Sequence, residues 1–126
     1  MVGQNNRNSF YKILVVDDES AIRRFLSTVL SNDEFLLHEA ESGNAGLAAA
    51  ATVRPDVILL DLGLPDLDGI EVIRRIREWS QVPIIVLSVR EREDDKVAAL
   101  DAGADYYLTK PFLAEVLLAI VEAAFA

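Results

Sequence analysis

Polar residues suited to phosphoryl transfer follow four short apolar runs in this sequence. The runs and their polar ends are Val15-Val16-Asp17-Asp18, Ile58-Leu59-Leu60-Asp61, Ile85-Val86-Leu87-Ser88 and Leu108-Thr109-Lys110-Pro111. Apolar runs of this length between turn signals predict strands buried on both faces, as in parallel sheets. Because ligands bind beyond the carboxyl ends of strands in an open parallel sheet, we expect these polar groups to meet at one edge. Three carboxylates, a hydroxyl and an ammonium group can together bind a divalent cation and a phosphoryl group.

Helical patterns separate the apolar runs. The first helix has apolar residues at the spacing of one helix face, namely Ile22, Phe25, Leu26, Val29 and Leu30. Further helices are predicted over residues 44–52, around Ile70 to Ile76, over 94–102 and over 112–125, and a short second strand over 36–39. Five strands alternating with five helices predict an α/β fold, a flavodoxin-like doubly wound parallel sheet with strand order 2-1-3-4-5.

Composition and length limit the kind of protein. The 126 residues suit one domain, with residues 1–10 predicted as a disordered leader and 11–126 as the folded domain. The formal charge of −9, from 21 acidic and 12 basic residues, would repel DNA phosphates, so we expect no direct nucleic-acid binding. Cysteine is absent and no apolar stretch is long enough to span a bilayer, which favours the cytoplasm.

Each candidate side chain has a chemical role and an ordinary alternative. Asp61 is the candidate nucleophile, because a carboxylate can attack a phosphoryl donor, although an aspartate after a strand can also serve only as a turn residue. Asp17 and Asp18 repel each other beside Asp61, and Mg²⁺ with its oxygen ligands would relieve that repulsion. The alternative for this pair is the favourable charge at a helix N-terminus.

Lys110 and Ser88 would contact the phosphoryl group itself. The ammonium group of Lys110 can stabilise charge that develops on a phosphoryl oxygen, although a lone lysine is more often a solvated surface group. The Ser88 hydroxyl can donate a hydrogen bond to the same group, and its alternative is an ordinary hydroxyl at a strand end. The position of both at predicted strand ends favours the functional interpretation.

The order of these residues resembles the CheY-like receiver domain of two-component response regulators. The resemblance rests on the acidic pair, the single Asp61, Ser88 and the Lys110-Pro111-Phe112 segment, and it runs from about residue 11 to the end of the chain. Within that family, residues 18–26 and 61–66 are most similar to the Kdp potassium-operon regulators of the OmpR-like group.

The resemblance implies a set of functional residues. Asp61 would accept a phosphoryl group from a sensor histidine kinase, and Mg²⁺ would be held by Asp18, Asp61 and the carbonyl of Gly63, with Asp17 acting through water. Ser88 and Tyr107 would form the switch that alters the face of the fourth helix, fifth strand and fifth helix. The peptide bond before Pro111 would be cis. A transcriptional effector domain, a winged helix in this family, would receive the signal and is absent from these 126 residues.

The sequence departs from OmpR-like receivers at the expected homodimer face. Lys96, Asp101 and Glu115 match dimer positions, but Tyr106 stands where the family usually has a second aspartate, and residues 112–126 contain no lysine or arginine. Because two ion pairs lack their cation, phosphorylation-dependent dimerisation is in question. The last helix is also apolar nearly all round, which suggests association through apolar contacts involving Leu118 and Phe125.

Two other classes of protein share part of this pattern. A phosphatase with an aspartate nucleophile, of the haloacid dehalogenase type, would carry an Asp-x-Asp motif after the first strand, whereas here Asp17 is followed by Asp18-Glu19. A flavodoxin-like electron carrier would carry a phosphate-binding loop rich in Ser, Thr and Gly at that position. We therefore expect a signalling phosphoacceptor rather than an enzyme that turns over a substrate.

Overall fold

A computed structural model describes residues 10–31 and 34–125. The strands are β1 (Tyr11–Val16), β2 (Phe35–Ala40), β3 (Val57–Leu60), β4 (Ile84–Ser88) and β5 (Tyr106–Thr109). The helices are α1 (Ser20–Leu30), α2 (Gly43–Val53), α3 (Gly69–Arg77), α4 (Glu93–Ala102) and α5 (Ala114–Phe125). The leader predicted over residues 1–10 lies outside the described residues, apart from Phe10.

The strands form one parallel sheet in the order β2-β1-β3-β4-β5, which confirms the predicted α/β fold and its strand order. The observed ends of β2, α2, α4 and α5 differ from the predicted ones by at most two residues, whereas β1 begins four residues before the predicted apolar run. In the described part of the chain, no helix has the length and apolar character needed to cross a membrane.

Alternate residues of the central strands point to opposite faces of the sheet and build two cores. On one face, Leu14, Ile58 and Ile84 pack with buried residues of α3 and α4 and with Ala50 of α2. On the other face, buried residues of β1, β3 and β4 pack against α1 and α5. Because both faces are covered, the buried stretches of the central strands are apolar, and the polar residues of the predicted site lie at or just beyond the carboxyl ends of the strands.

The apolar surface of α5 is largely accounted for within the chain. Leu117 and Val121 are buried, and Leu118 packs at the edge of the same core. The ring of Phe125 stacks on Tyr11, with 4.1 Å between ring centroids. Leu118 and Phe125 are therefore partly covered within the chain. Association of the last helix through these residues stays a prediction. Leu113 and Val116, which are 66% and 41% exposed, are the large apolar residues of the 112–125 segment that face solvent.

Candidate functional site

The predicted site residues meet because the strand ends are in register. Val16 of β1 lies opposite Leu60 of β3, and Leu60 lies opposite Val86 of β4. The hydrogen bonding continues one residue beyond the strands, since the Asp61 amide donates to the Val16 carbonyl at 2.9 Å. The Lys110 amide likewise donates to the carbonyl of Ser88, the last residue of β4, at 2.8 Å. The sheet therefore fixes the backbone positions from which the site side chains project.

Three carboxylates form a cluster at this edge. Oxygen atoms of Asp17, Asp18 and Asp61 all lie within 4.8 Å of one another. Asp17 and Asp61 are buried, whereas Asp18 is exposed. The Nζ atom of Lys110 lies 2.9 Å from Asp17 Oδ2 and 3.6 Å from Asp61 Oδ1, and Glu19 Oε1 is more distant at 3.9 Å. One buried cation thus faces two buried carboxylates.

The environment of Asp61 opposes its ionisation. Burial raises the pKa of the Asp61 carboxyl above its usual value, and the neighbouring charges of Asp17 and Asp18 act in the same direction. The ammonium group of Lys110 and a hydrogen bond from the Gly63 amide act against this rise in pKa, but the net shift is upward. A perturbed carboxyl in a cleft is typical of a functional site.

The donor atoms of the cluster fit a hard divalent cation. Mg²⁺ binds one or two carboxylates and keeps several waters. Both oxygens of Asp17 already have donors, since Oδ2 accepts from Lys110 Nζ and Oδ1 accepts from the Glu19 amide at 2.9 Å. Asp18 and Asp61 are therefore better placed than Asp17 to bind a cation directly. Gly63 lies exposed in the same cleft, where its carbonyl is a further candidate ligand.

The predicted switch residues both contact the backbone of Arg90. Ser88 is buried, and its Oγ accepts a hydrogen bond from the Arg90 amide at 3.1 Å. The Tyr107 hydroxyl donates to the Arg90 carbonyl at 2.7 Å. The loop between β4 and α4 is thus hydrogen-bonded to both switch candidates through one residue, Arg90.

The loop after Asp61 is held by a bridge within itself and by hydrogen bonds to the start of α2. Gly63 forms an antiparallel bridge with Asp68, and the Asp68 side chain accepts from the Ile70 amide at 2.9 Å at the start of α3. The Asp66 carboxylate accepts from the amides of Gly43 and Asn44 at 2.7 and 2.9 Å. These bonds tie the loop to the N-terminus of α2 and lower the pKa of the Asp66 carboxyl.

A cleft of about 380 Å³ opens at this edge and is lined by Asp18, Glu19, Asp61, Gly63, Ser88, Val89, Arg90 and Lys110. A larger groove of about 530 Å³ lies between the ends of α2 and α3, beside Trp79, and Arg54 is the only ionisable residue in its lining. The chemistry of the lining, rather than the volume, identifies the smaller cleft as the candidate site.

The remaining predicted residues are Pro111 and the three candidates for the homodimer face. The peptide bond between Lys110 and Pro111 is cis. Lys96 lies in α4, with its Nζ 3.8 Å from Glu93 Oε1 of the same helix. Asp101 and Glu115 are exposed on α4 and α5. These positions leave the homodimer face a prediction.

Three residues at the site were missed by sequence reasoning: Arg23, Asp66 and Arg90. Arg90 is the second cation that lines the cleft, and its guanidinium lies 3.4 Å from the Leu62 carbonyl and from Asp68 Oδ2. Because Arg90 follows Ser88 by only two residues, the sequence does contain a signal that could have placed it at the site. Arg23 and Asp66 contact backbone groups of other segments, at the end of β1 and at the start of α2, and no spacing in the sequence indicates these contacts.

The open parallel sheet, with this acidic cluster and lysine at one edge, has the arrangement of a receiver-type signalling domain, and sequence comparison agrees. The profile of the response regulator receiver domain matches residues 13–122, so the chain belongs to this family. The chain is 63% identical over 100 residues to the KDP operon transcriptional regulatory protein KdpE of Escherichia coli, covering 79% of this chain and 44% of that protein. It is thus the receiver domain of a response regulator related to KdpE.

Two further similarities support this assignment. The transcriptional regulatory protein KdpE of Mycobacterium tuberculosis is 49% identical over 112 residues, which cover 89% of this chain and 50% of that protein. The solved receiver domain of the Francisella response regulator 1452 is 33% identical with a TM-score of 0.85, and the match covers 91% of this chain and 96% of that one. The chain spans about half the length of the curated relatives that it matches.

Proposed function

We propose that this receiver accepts a phosphoryl group on Asp61 from the phosphohistidine of a sensor kinase. The observation that carries the proposal is the distance of 3.6 Å between Lys110 Nζ and Asp61 Oδ1 in a cleft that also contains Ser88. A nucleophile, a cation and a hydroxyl donor are the groups that phosphoryl transfer to a carboxylate requires.

The transfer would exchange one bond to phosphorus for another. A carboxylate oxygen of Asp61 attacks phosphorus, the P–N bond of the donor breaks, and its electron pair remains on the imidazole nitrogen. Lys110 faces the phosphoryl oxygens and stabilises charge that builds there. The Ser88 hydroxyl still has a proton to donate, because its hydrogen bond from the Arg90 amide uses an oxygen lone pair.

Mg²⁺ is the cation that this donor set fits best. We propose that Asp18, Asp61 and the Gly63 carbonyl hold it, with Asp17 acting through water, since both Asp17 oxygens have protein donors. A bound Mg²⁺ would neutralise part of the negative charge on the carboxylates and the phosphoryl group.

The signal would leave through the α4–β5–α5 face, formed by residues 93–102, 106–109 and 114–125. A phosphoryl group that draws Ser88 towards it would disturb the Arg90 backbone and, through it, the hydrogen bond of Tyr107. We propose that this change controls a transcriptional effector in the cytoplasm, as the similarity to KdpE suggests. A homodimer on this face, involving Lys96, Asp101 and Glu115, is part of the same hypothesis.

The experiment is an intact mass measurement after incubation with acetyl phosphate and Mg²⁺. We expect each chain to gain the mass of one phosphoryl group, no gain when EDTA replaces Mg²⁺, and no gain in Asp61→Asn. Steady release of product from a small phosphate ester would instead support a phosphatase.

A further inference from the structure

Arg23 joins the acidic end of β1 to two other elements. Its side chain projects from the first turn of α1 and is only 13% exposed. The Nη1 atom donates to the Asp17 carbonyl at 2.7 Å, and Nε donates to Glu39 Oε1 of β2 at 2.9 Å. A nearly buried guanidinium therefore holds the peptide that connects Asp17 to Asp18.

The turn that carries the acidic pair is held at several points. The Asp17 amide donates to the Ala40 carbonyl at the end of β2, and the Asp17 side chain accepts from the Glu19 amide. Arg23 supplies the bond to the Asp17 carbonyl, and Glu39, beside Ala40 on β2, orients the guanidinium. Without Arg23, the peptide after Asp17 loses a charged donor, and the direction of Asp18 is less restricted.

We propose that Arg23 is a positioning residue for the cation site, acting on Asp18 through the Asp17 peptide. The inference rests on the proposed binding of a divalent cation by Asp18 and Asp61. Groups that orient metal ligands without touching the metal commonly change metal affinity by about 10- to 100-fold when they are removed.

If Arg23 acted only through its charge, its removal would change the cation affinity in the opposite direction. A guanidinium near the carboxylates repels a divalent cation, so the loss of its charge would tighten cation binding if electrostatics were its only effect. If Arg23 orients the ligands, its removal weakens binding despite the lost repulsion. The direction of the change therefore separates the two effects.

Arg24 is a matched control, because it is the next residue on the same helix, carries the same charge and is exposed. The experiment compares Arg23→Gln with Arg24→Gln by titration with Mn²⁺, a paramagnetic probe of Mg²⁺ sites, and with Mg²⁺ by calorimetry. We expect Arg23→Gln to weaken binding by at least about 10-fold and Arg24→Gln to leave it nearly unchanged. Equal or tighter binding in Arg23→Gln would overturn the role of Arg23.

A second variant protects the test against loss of the fold. If Arg23→Gln fails to fold by circular dichroism, Arg23→Lys keeps the positive charge but removes the guanidinium fork that bonds the Asp17 carbonyl and Glu39 together. Weaker Mn²⁺ binding in Arg23→Lys would support the proposal, and unchanged binding would refute it. A wild-type chain that binds neither cation would instead reject the cation site itself, and Arg23's role with it.

Discussion

The ammonium group of Lys110 lies 2.9 Å from the carboxylate of Asp17, although 93 residues separate the two in sequence. Asp17 directly follows β1 and Lys110 directly follows β5. Because β3 and β4 lie between these two strands in the sheet, the contact spans the edge at which β3 and β4 end. The same Nζ reaches Asp61 at 3.6 Å. Lys110 therefore holds together two buried carboxylates that would otherwise repel each other.

Replacing Lys110 with Met should separate cation binding from phosphoryl transfer. The variant keeps a chain of similar length but removes the charge, so Mg²⁺ should bind more tightly while transfer from acetyl phosphate slows by about 100-fold. Stability without Mg²⁺ should fall by about 3 kcal/mol, because the buried carboxylates lose their partner. Calorimetry, transfer kinetics and urea unfolding measure these effects, and an unchanged transfer rate would rule out the proposed role of Lys110.

The raised pKa of the Asp61 carboxyl predicts a pH-dependent cost in stability. A raised folded-state pKa stabilises the fold below the ordinary carboxyl pKa, and this contribution is lost as pH rises through the folded-state value. The side chain in Asp61→Asn stays neutral at every pH. In EDTA, the melting temperature of this variant should therefore exceed that of the wild type at pH 8, and the difference should be smaller at pH 4. A difference that does not grow with pH would contradict the burial argument.

Asp66 should contribute stability of the opposite pH dependence. Its lowered pKa, caused by hydrogen bonds from the Asn44 and Gly43 amides, stabilises the fold above the ordinary aspartate pKa. That contribution is lost as pH falls through the lower folded-state pKa. Asp66→Ala should therefore melt below the wild type at pH 6, with a smaller gap at pH 3. The exposed Glu122→Gln is the control, and a gap that is equal at both pH values would count against this role.

Two glycines near Asp61 should differ sharply in their tolerance of alanine, namely Gly63 in the loop after β3 and Gly69 at the start of α3. A Cβ at Gly69 would lie 2.6 Å from the Leu62 Cα and 2.7 Å from the Asp61 carbonyl oxygen, so the backbone beside the acceptor must shift. We expect Gly69→Ala to cost about 2 kcal/mol in urea unfolding. A Cβ at Gly63 meets only Asp61 Oδ2, at 3.9 Å, and should cost less than about 0.5 kcal/mol. An equal loss in the free energy of unfolding for both variants would show that the backbone shifts to accept a side chain at Gly69.

The sheet and the main site side chains could be predicted because their signals are local. Val57–Leu60 is a short apolar run buried on both faces, and the polar residue that follows it must lie at the sheet edge. The parallel order then brings Asp61 beside Asp17 without any knowledge of individual contacts. Local patterns therefore identified the nucleophile candidate and its neighbours.

The packing of Phe125 and the missed contacts of Arg23 and Asp66 share a physical cause, because both depend on how separate elements pack together. Phe125 is packed because Tyr11 and Phe35, far away in sequence, place their rings against it. Arg23 and Asp66 act on backbone groups of other segments, which depends on how α1 and α2 sit on the sheet. A helix pattern can show that a face is apolar, but it does not show which distant residue covers it.

The position of the phosphoryl group is the most direct test of Asp61 as the acceptor. Borohydride reduces an acyl phosphate of aspartate to homoserine, which peptide mass spectrometry can assign to a position after treatment with acetyl phosphate and Mg²⁺. We expect homoserine at position 61 alone, with none formed when EDTA replaces Mg²⁺. Homoserine at position 17 or 18, or at no position in a chain that binds Mg²⁺, would contradict Asp61 as the acceptor.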